Sequence, residues 1–566
     1  MAHFNTEVVL PTGAYVSETS LKSEEEPTHS SDSTSRQAAS SITQKTRALI
    51  PSKIIQRMNI DTHTRLIMCA IVVGTAIRLH LTLGSDFPLH DGGLFYLMIQ
   101  ELQENHFSLP WYTSYNAANI PYLYPPFALY FASILDYLTS WQLIDILRIL
   151  PAVISVLTIG AYYLLSDSLL SSKLAVTFSV FAFAFLPLSF EWLIMGGGLT
   201  RAFGVLFALL ALRYAYLLYS QQNRREILPT ILFCGLTVLS HPETAWFLFY
   251  SIALLFLFFG RNRKGILHSF VVVIGTFVLI SPWLIINLSR HGFDLLLPIA
   301  DSGFSRLESI LGLLLLTISY EPFVPVITIT GLLGLIICLF DKRYFLPAWL
   351  LTIFVLQPRG ADQRAVIPIT LLSGIGIAEA IIPIFKRQPD RSHRNIVGSI
   401  LVVFLFVYLI LSAYAEALTI DKPLPQAERE AMVWIKNHTP EASSIVVVTG
   451  TGWPTDRSSE WLSVLTNRRS VAVVQGYEWL GNFYNRIEAY EELQECASED
   501  GDCLERWGEA TSTHFTHVYI PNPCSKPQAP DHDRCSALRL TLREDKRFSL
   551  VYENPGVTIF ERISEN

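Results

Sequence analysis

The middle of the chain is a succession of long apolar runs separated by short polar loops, while both ends are polar. A helix needs about 20 mostly apolar residues to cross a bilayer. Runs of that kind occupy 65–84, 146–165, 173–192, 199–219, 266–288, 322–340, 364–385 and 396–418. The stretch 227–260 is long enough for a hairpin of two helices broken at His241-Pro242, and 344–357 is short but strongly apolar. Two further runs, 123–140 and 308–320, are ambiguous; the first carries Pro125, Pro126 and Asp136. The pattern predicts an α-helical polytopic membrane protein.

Residues 1–50 are rich in Ser, Thr and Glu and cannot bury enough apolar surface to offset their ordering entropy, so disorder is expected there. Lys45, Arg47, Lys53, Arg57 and Arg65 precede the first apolar run and hold the N-terminus in the cytoplasm. If 123–140 and 308–320 lie on the outer face without crossing, every short basic loop falls inside: Arg224-Arg225, Arg261 to Lys264, Lys342-Arg343 and KRQPDRSHR at 386–394. The positive-inside rule then gives about 11 spans, at most about 13, with the C-terminus outside. Three regions follow: a disordered cytoplasmic segment at 1–60, a multi-span domain at 61–420 with a large first outer loop at 85–145, and a soluble extracytoplasmic domain at 421–566.

Composition narrows the class. Of 566 residues 51% are hydrophobic and only 16% charged, against about 25% charged in soluble domains. The net charge of -7 offers no basic field to a nucleic acid, so none is expected as a partner. No glycine-rich phosphate loop opens a helix, which argues against a nucleotide-driven pump. The tail reads as α/β: helical periodicity over 425–437, then strand-like runs at Ile445–Val448, Val471–Val474, Thr516–Ile520, Ser549–Tyr552 and Val557–Phe560. Of seven cysteines, Cys69, Cys234 and Cys338 lie in apolar runs, while Cys496, Cys503, Cys524 and Cys535 lie in the tail. An even set in a region read as external suggests two disulfides. Proximity pairs Cys496 with Cys503 and Cys524 with Cys535, although sequence alone allows three connectivities.

Candidate chemistry concentrates in the first outer loop. Between Ser85 and Phe131 there is no Lys or Arg, but Asp86, Asp91, Glu101 and Glu104 are present. Asp91 follows the first span closely, and Gly92-Gly93 let a backbone or ligand come near it. An interfacial carboxylate could act as general base toward a hydroxyl. Asp before Gly-Gly and an apolar run also suits a helix N-cap, and a cap can still present its second oxygen.

Arg148, Arg201, Arg290, Arg306, Arg359 and Arg364 fall at outer ends of spans, against the positive-inside trend. Interfacial arginines suit a lipid-linked phosphate, though snorkelling to headgroups explains any single one. Arg201 lies in MGGGLTRAFG, where three glycines would admit a ligand; Arg359 and Arg364 share the loop QPRGADQRAVIP. His241 and Glu243 in SHPET could bind a metal or a sugar, or simply form a helix turn. Trp111, Tyr112, Tyr122 and Tyr124 suit an interfacial aromatic belt. Trp453, Trp461, Tyr477 and Trp479 suit sugar stacking or the core of the tail.

The first span ending in Arg78, then HDGGLFY and YPPFALYF, resembles the GT-C superfamily of polytopic glycosyltransferases, which use polyprenyl- or dolichyl-phosphate sugars. The group includes the protein O-mannosyltransferases and aminoarabinose transferases. TRAFGVLFALLALRYAYLLY, LSHPETAWFLFYSIALLF, RAVIPITLLSGIGIAEA and AEREAMVWIKNHTPEASSIVV are similar to stretches of that group, so the likeness covers roughly 65–480. It implies that Asp91 is the catalytic base. The substrate-binding residues it implies are Arg201, Arg359 and Arg364; His90, Tyr124, His241 and Glu243 stand beside them as substrate-binding candidates. The partners implied are membrane lipid, the lipid-phosphate sugar as co-substrate, and an acceptor glycan, lipid or protein, in the plasma membrane or the endoplasmic reticulum. No other cofactor is implied. Members often carry an acidic pair or DxD after the first span; here Asp91 stands alone, which argues against a divalent metal. The alternative is a transporter or flippase of a lipid-linked or anionic solute; a scaffold without activity is a third reading.

Overall fold

The computed structural model describes residues 51–293, 318–321, 323–357, 359–386, 400, 403–415, 422–524 and 533–563. The head at 1–50, Arg306, most of the run 308–320 and of the basic loop 386–394, and the edges of the run 396–418 lie outside the described residues. Among the described residues six helices are long and apolar enough to cross a membrane: Thr62–Leu83 (within Pro51–Leu83), Leu143–Leu169, Gly198–Gln221, Pro242–Phe259, Arg263–His291 and Ala361–Ile384. Phe127–Leu138, Lys173–Phe185, Val326–Phe340, Phe345–Leu356 and Val403–Ala415 are shorter apolar helices. The chain is an integral membrane protein. At 1.5 Å per residue, the 12 residues of Phe127–Leu138 fall well short of a hydrocarbon core about 30 Å thick.

Gly198–Gln221 is the buried axis of the bundle, packed by Leu143–Leu169, Ile227–Val238 and Pro242–Phe259. Arg263–His291 lies outermost and exposes Phe270, Val273, Phe277 and Ile285, as a lipid-facing helix does. The expected hairpin at 227–260 is present as Ile227–Val238 and Pro242–Phe259. Its second arm starts with Pro242 at the first helical position, and His241 Nδ1 accepts the Thr244 N–H at 3.2 Å.

The run 173–192 is not the single helix its hydropathy predicts. Lys173–Phe185 stops at Leu186-Pro187, because proline lacks a donor and disfavours the α conformation in the residue before it. The chain turns through Pro187–Ser189 and Glu191–Ile194 before Gly198 opens the axial helix. Arg78, fully buried on the first helix, braces this break. It donates from Nη1 to the Ala184 carbonyl at 2.7 Å, from Nη2 to Ser189 Oγ at 3.2 Å and from Nε to Ser155 Oγ at 3.1 Å. Its guanidinium lies 4.5 Å from the Phe190 ring centroid.

The tail carries a five-stranded sheet ordered β4-β3-β5-β7-β6, with β3 Ser444–Val447, β4 Arg469–Ser470, β5 His517–Pro521, β6 Phe548–Asn554 and β7 Val557–Arg562. β4, β3 and β5 run parallel; β7 pairs antiparallel with β5 and β6. Side chains alternate between two cores. Val446, Val518 and Phe560 face Leu504 and Leu538, while Ile445, Val447, Tyr519 and Ile559 face Met432, Ile435 and Trp461. The helix predicted at 425–437 is Gln426–His438. One strand differs: pairing stops at Ser470, and the predicted strand Val471–Val474 leaves the sheet, its Val471 and Val473 carbonyls taken by the Arg486 guanidinium. Both proximity disulfides, Cys496–Cys503 and Cys524–Cys535, are formed.

The first loop is clasped by this tail. Phe87 packs edge-on against Trp461 with centroids 4.7 Å apart, Asp86 pairs with Arg429, and Leu89 bridges to Pro423. Asn116 accepts the Ser470 N–H at 2.8 Å.

Candidate functional site

Asp91 stands in the turn between the first helix and Gly93–Glu104. It does not cap that helix: the N-cap is Gly92, with φ 126°, and no side chain of the turn caps it. Asp91 instead turns away, and its Oδ1 accepts the N–H of Gly197 at 2.8 Å. The contact requires glycine on the other side. A Cβ on Gly197 would lie 2.4 Å from Asp91 Oδ2, and one on Gly196 2.2 Å from the Asp91 carbonyl oxygen. The three-glycine run therefore admits the Asp91 turn, not a ligand as its sequence suggests. The break at Pro187 brings it there.

The cap comes from the tail. Glu460, on the helix Arg457–Thr466, accepts the N–H groups of Gly92 at 3.1 Å and Leu94 at 3.3 Å on Oε1. The neighbouring Trp461 donates from Nε1 to the His90 carbonyl at 3.1 Å.

Asp91 and Glu460 face one cavity of about 330 Å³ between the membrane helices and the tail. Burial works to raise the Asp91 carboxyl, but the His90 imidazole, whose Nδ1 is 3.8 Å from Oδ1, Arg201 and the Gly197 N–H outweigh it and hold Asp91 below its ordinary value. Burial and then the Asp91 charge push Glu460 up to about 8. The pair is split into one charged and one neutral carboxyl near pH 7, the arrangement two close acids adopt when both cannot ionise.

Arg201 and Arg359 are the cationic walls. Arg201 donates from Nη1 to the Trp192 carbonyl at 2.9 Å and stacks on that indole at 5.5 Å. Arg359 lies between Glu243 at 3.7 Å and Glu478 at 3.9 Å, against the Trp453 ring at 5.3 Å. Burial raises the Glu478 carboxyl against the opposing pull of Arg359.

Of the eight catalytic and substrate-binding candidates from sequence, six line this cavity: His90, Asp91, Tyr124, Arg201, Glu243 and Arg359. Tyr124 bonds Thr200 Oγ1 at 3.1 Å. Two do not line it. His241 is buried as a helix cap, and Arg364 is 4% exposed beneath the wall, its Nε without a hydrogen-bond partner among the described residues. Arg148 and Arg290 brace the first loop instead, through the carbonyls of Ser85 at 2.6 Å and Leu109 at 2.8 Å. The aromatic set divides. Trp111 and Tyr112 are exposed; Tyr122 and Tyr124 are drawn inside because their hydroxyls find partners there. Trp453 and Trp479 reach the cavity wall, whereas Trp461 is tail core.

Sequence reasoning missed Glu460, Glu478 and Trp192. The one available signal for Glu460 was helical spacing: it stands beside Trp461 and one turn before Val464, a face on which an acid needs a partner. Among the described residues no three His, Cys, Asp or Glu side chains are grouped as metal ligands would be. The acids here are engaged by Gly197, by the helix start and by Arg359, and no step below is routed through a metal.

Three helix N-termini share this face of the bundle. Gly198–Gln221, Pro242–Phe259 and Ala361–Ile375 each begin beside the cavity, which Arg201, Glu243 and Asp362 line. They run toward a second cavity of about 410 Å³, lined by Tyr216, Phe258, Phe259, Lys342, Arg343 and Glu379. The basic loops at 224–225, 261–264 and 342–343 gather at that far end.

No protein-family model matches the sequence, and no curated protein matches it. Solved structures do match in fold. The oligosaccharyltransferase of Archaeoglobus fulgidus aligns with TM-score 0.55 and 14% identity over 81% of this chain and 69% of its own. It has also been solved with an inhibitory peptide and a dolichol-phosphate. Arabinofuranosyltransferase AftD from Mycobacteria aligns with TM-score 0.53 and 16% identity over 88% of this chain and 40% of its own. ArnT from Cupriavidus metallidurans, bound to undecaprenyl phosphate, aligns with TM-score 0.50 and 13% identity over 87% and 98%. These neighbours are GT-C fold glycosyltransferases, and the chain has the GT-C fold.

Proposed function

We propose that this chain is a membrane glycosyltransferase that moves a sugar from a polyprenyl- or dolichyl-phosphate donor to an acceptor hydroxyl on the non-cytoplasmic face, with Asp91 as general base. The observation that carries the reading is the meeting of the Asp91 carboxylate with Arg201 and Arg359 in one cavity at one end of the bundle. The fold shared with lipid-phosphate-bound neighbours supports the donor class. The basic loops at the opposite end support a cytoplasmic placement for that end, leaving the cavity and the tail, taken as 421–566, outside.

In this reading the ionised Asp91 takes the proton of the acceptor hydroxyl. The acceptor oxygen bonds to the anomeric carbon as the bond from that carbon to the phosphate oxygen breaks. The electron pair leaves with the lipid phosphate, whose charge the guanidinium groups of Arg201 and Arg359 stabilise. An apolar cavity of about 150 Å³, lined by Leu123, Trp283, Leu288 and Trp479, adjoins across Trp479 and suits the start of a polyprenyl chain. Trp453 and Trp479 offer faces to a sugar ring. The acceptor is a glycan, lipid or protein.

The test is turnover of radiolabelled polyprenyl-phosphate pentoses and hexoses by purified protein, with an Asp91→Asn variant alongside. Asparagine keeps an oxygen for the Gly197 N–H and removes the charge. Turnover should fall by roughly 10²–10⁴-fold at unchanged folding, the contribution of a general base. Equal rates would remove Asp91 from the role. External labelling of an Arg225→Cys variant by a membrane-impermeant thiol reagent would overturn the orientation.

A further inference from the structure

Helix Gly93–Glu104 starts with no cap from its own turn, because the nearby acid, Asp91, is engaged by Gly197. Its first donors would be orphans if left alone. The carboxyl that satisfies them comes from 368 residues further along the chain, in the tail. We propose that Glu460 is a positioning residue for Asp91: by accepting the first amides of Gly93–Glu104 from outside the helix, it docks the tail onto the turn that carries the base and leaves the Asp91 carboxylate facing the cavity. The inference rests on the general-base reading of Asp91.

Three observations carry it. Glu460 is 3% exposed, and its Oε1 is committed to the amides of Gly92 and Leu94. Its Oε2 is buried with no hydrogen-bond partner among the described residues. The groups that face it are acidic or neutral save one: Asp91 and His90 from the turn, and Tyr115, whose hydroxyl donates to the Glu460 backbone carbonyl at 3.1 Å. Among the described residues no lysine or arginine forms an ion pair with it. A second full charge there would stand beside Asp91 without a counter-ion. The neutral acid, with its proton on Oε2, avoids this and still accepts both amides on Oε1. Glu460 therefore caps as an uncharged group while Asp91 keeps its charge. Between about pH 4.5 and 8 an undocked Glu460 ionises while the docked one keeps its proton, so burial beside Asp91 weakens the docking progressively across that window.

The test uses the full chain in lipid nanodiscs, comparing parent, Glu460→Gln and Glu460→Ala by hydrogen exchange of the amides at 88–95. Glutamine retains the accepting oxygen and mimics the neutral acid. In the parent, protection relative to the glutamine variant should fall progressively as pH rises from about 4.5 to about 8. Glutamine should show no such loss, and alanine should lose protection roughly tenfold at every pH, one capping interaction's worth. Turnover of the lipid-phosphate sugar should follow the same order, with an alkaline limb in the parent that glutamine removes. Superimposable protection profiles for parent and glutamine would overturn the proposal, as would parent-like protection in a folded alanine variant. If alanine does not fold, the parent-to-glutamine comparison decides. Exchange needs no substrate, so these outcomes are separate from the fate of the base itself: full activity of Asp91→Asn would defeat the general-base reading whatever the amides at 88–95 do.

Discussion

The Gly197 amide donates to the Asp91 carboxylate at 2.8 Å across 106 residues of sequence. Two weak points of the helical pattern are thereby joined: the glycine-rich turn after the first span, and the glycine run after a proline-broken one. Neither turn alone orients a carboxylate. Together they aim it into a cavity whose other wall is the tail.

Adding one methyl at this contact is the sharpest test of it. In Gly197→Ala the new Cβ would fall 2.4 Å from Asp91 Oδ2, so either the carboxylate or the turn must move. We expect kcat to fall at least about tenfold, since small misplacements of a reacting group are costly. The melting temperature should fall as well, because Gly197 is the N-cap of Gly198–Gln221 and overpacking a buried turn costs about 1–3 kcal/mol. A parent-like kcat would show that the contact does not orient the acid.

The two cationic walls should separate kinetically. Arg201 is held by a carbonyl and an indole, with no carboxylate ion pair among the described residues, whereas Arg359 lies between Glu243 and Glu478. Arg201→Ala should lower kcat/KM for the lipid-phosphate donor by roughly 10²-fold, as loss of a charge-assisted contact to phosphate would. Arg359→Ala should also destabilise the protein, because it leaves two acids without their cation. Equal kinetic losses with equal melting temperatures would refute the distinction.

Stability should depend on pH with a definite sign. Glu428, Glu460 and Glu478 are all raised above the ordinary 4.5, chiefly by burial. An acid raised on folding binds more protons in the native state, so its contribution is complete below about pH 4.5 and is lost as pH rises through the folded value. The melting temperature should therefore decline between about pH 5 and pH 9, and Glu460→Gln should flatten the upper part of that decline. A melting temperature that rises across this window would contradict the burial of these groups.

Arg78 should matter out of proportion to its distance from the chemistry. Removing it leaves the Ala184 carbonyl and the Ser155 and Ser189 hydroxyls without their buried donor. We expect Arg78→Ala to destabilise the protein by about 1–3 kcal/mol for each buried acceptor it leaves unpaired. It should also lower activity by loosening the break that carries Gly197. Unfolding in detergent measures the first effect and donor turnover the second; a neutral substitution would mean the break holds without its brace.

Each disulfide closes a short loop, with sequence separations of 7 and 11. Chain-entropy arguments give about 2–3 kcal/mol apiece. Cys524→Ser with Cys535→Ser should therefore speed proteolysis of the tail while leaving the helical signal of the bundle intact. No change in proteolysis would mean the tail core is sufficient without that bridge.

The sequence by itself determined the class of molecule. Apolar runs near bilayer length, basic loops of one parity, period-two strands and neighbouring cysteine pairs are local features, and hydropathy and chain proximity act on them locally. They also singled out Asp91, Arg201 and Arg359, because an acid before a glycine pair or an arginine near glycine is conspicuous in so apolar a chain. Only the tertiary structure decided which groups meet. The helix cap expected of Asp91 is made by Glu460, the glycines expected to admit a ligand receive Asp91, and Val471–Val474 leaves the sheet to carry Trp479 to the cavity. Those choices depend on desolvation and on satisfying every buried donor across hundreds of residues, and no local pattern encodes which distant carboxyl will be the one buried.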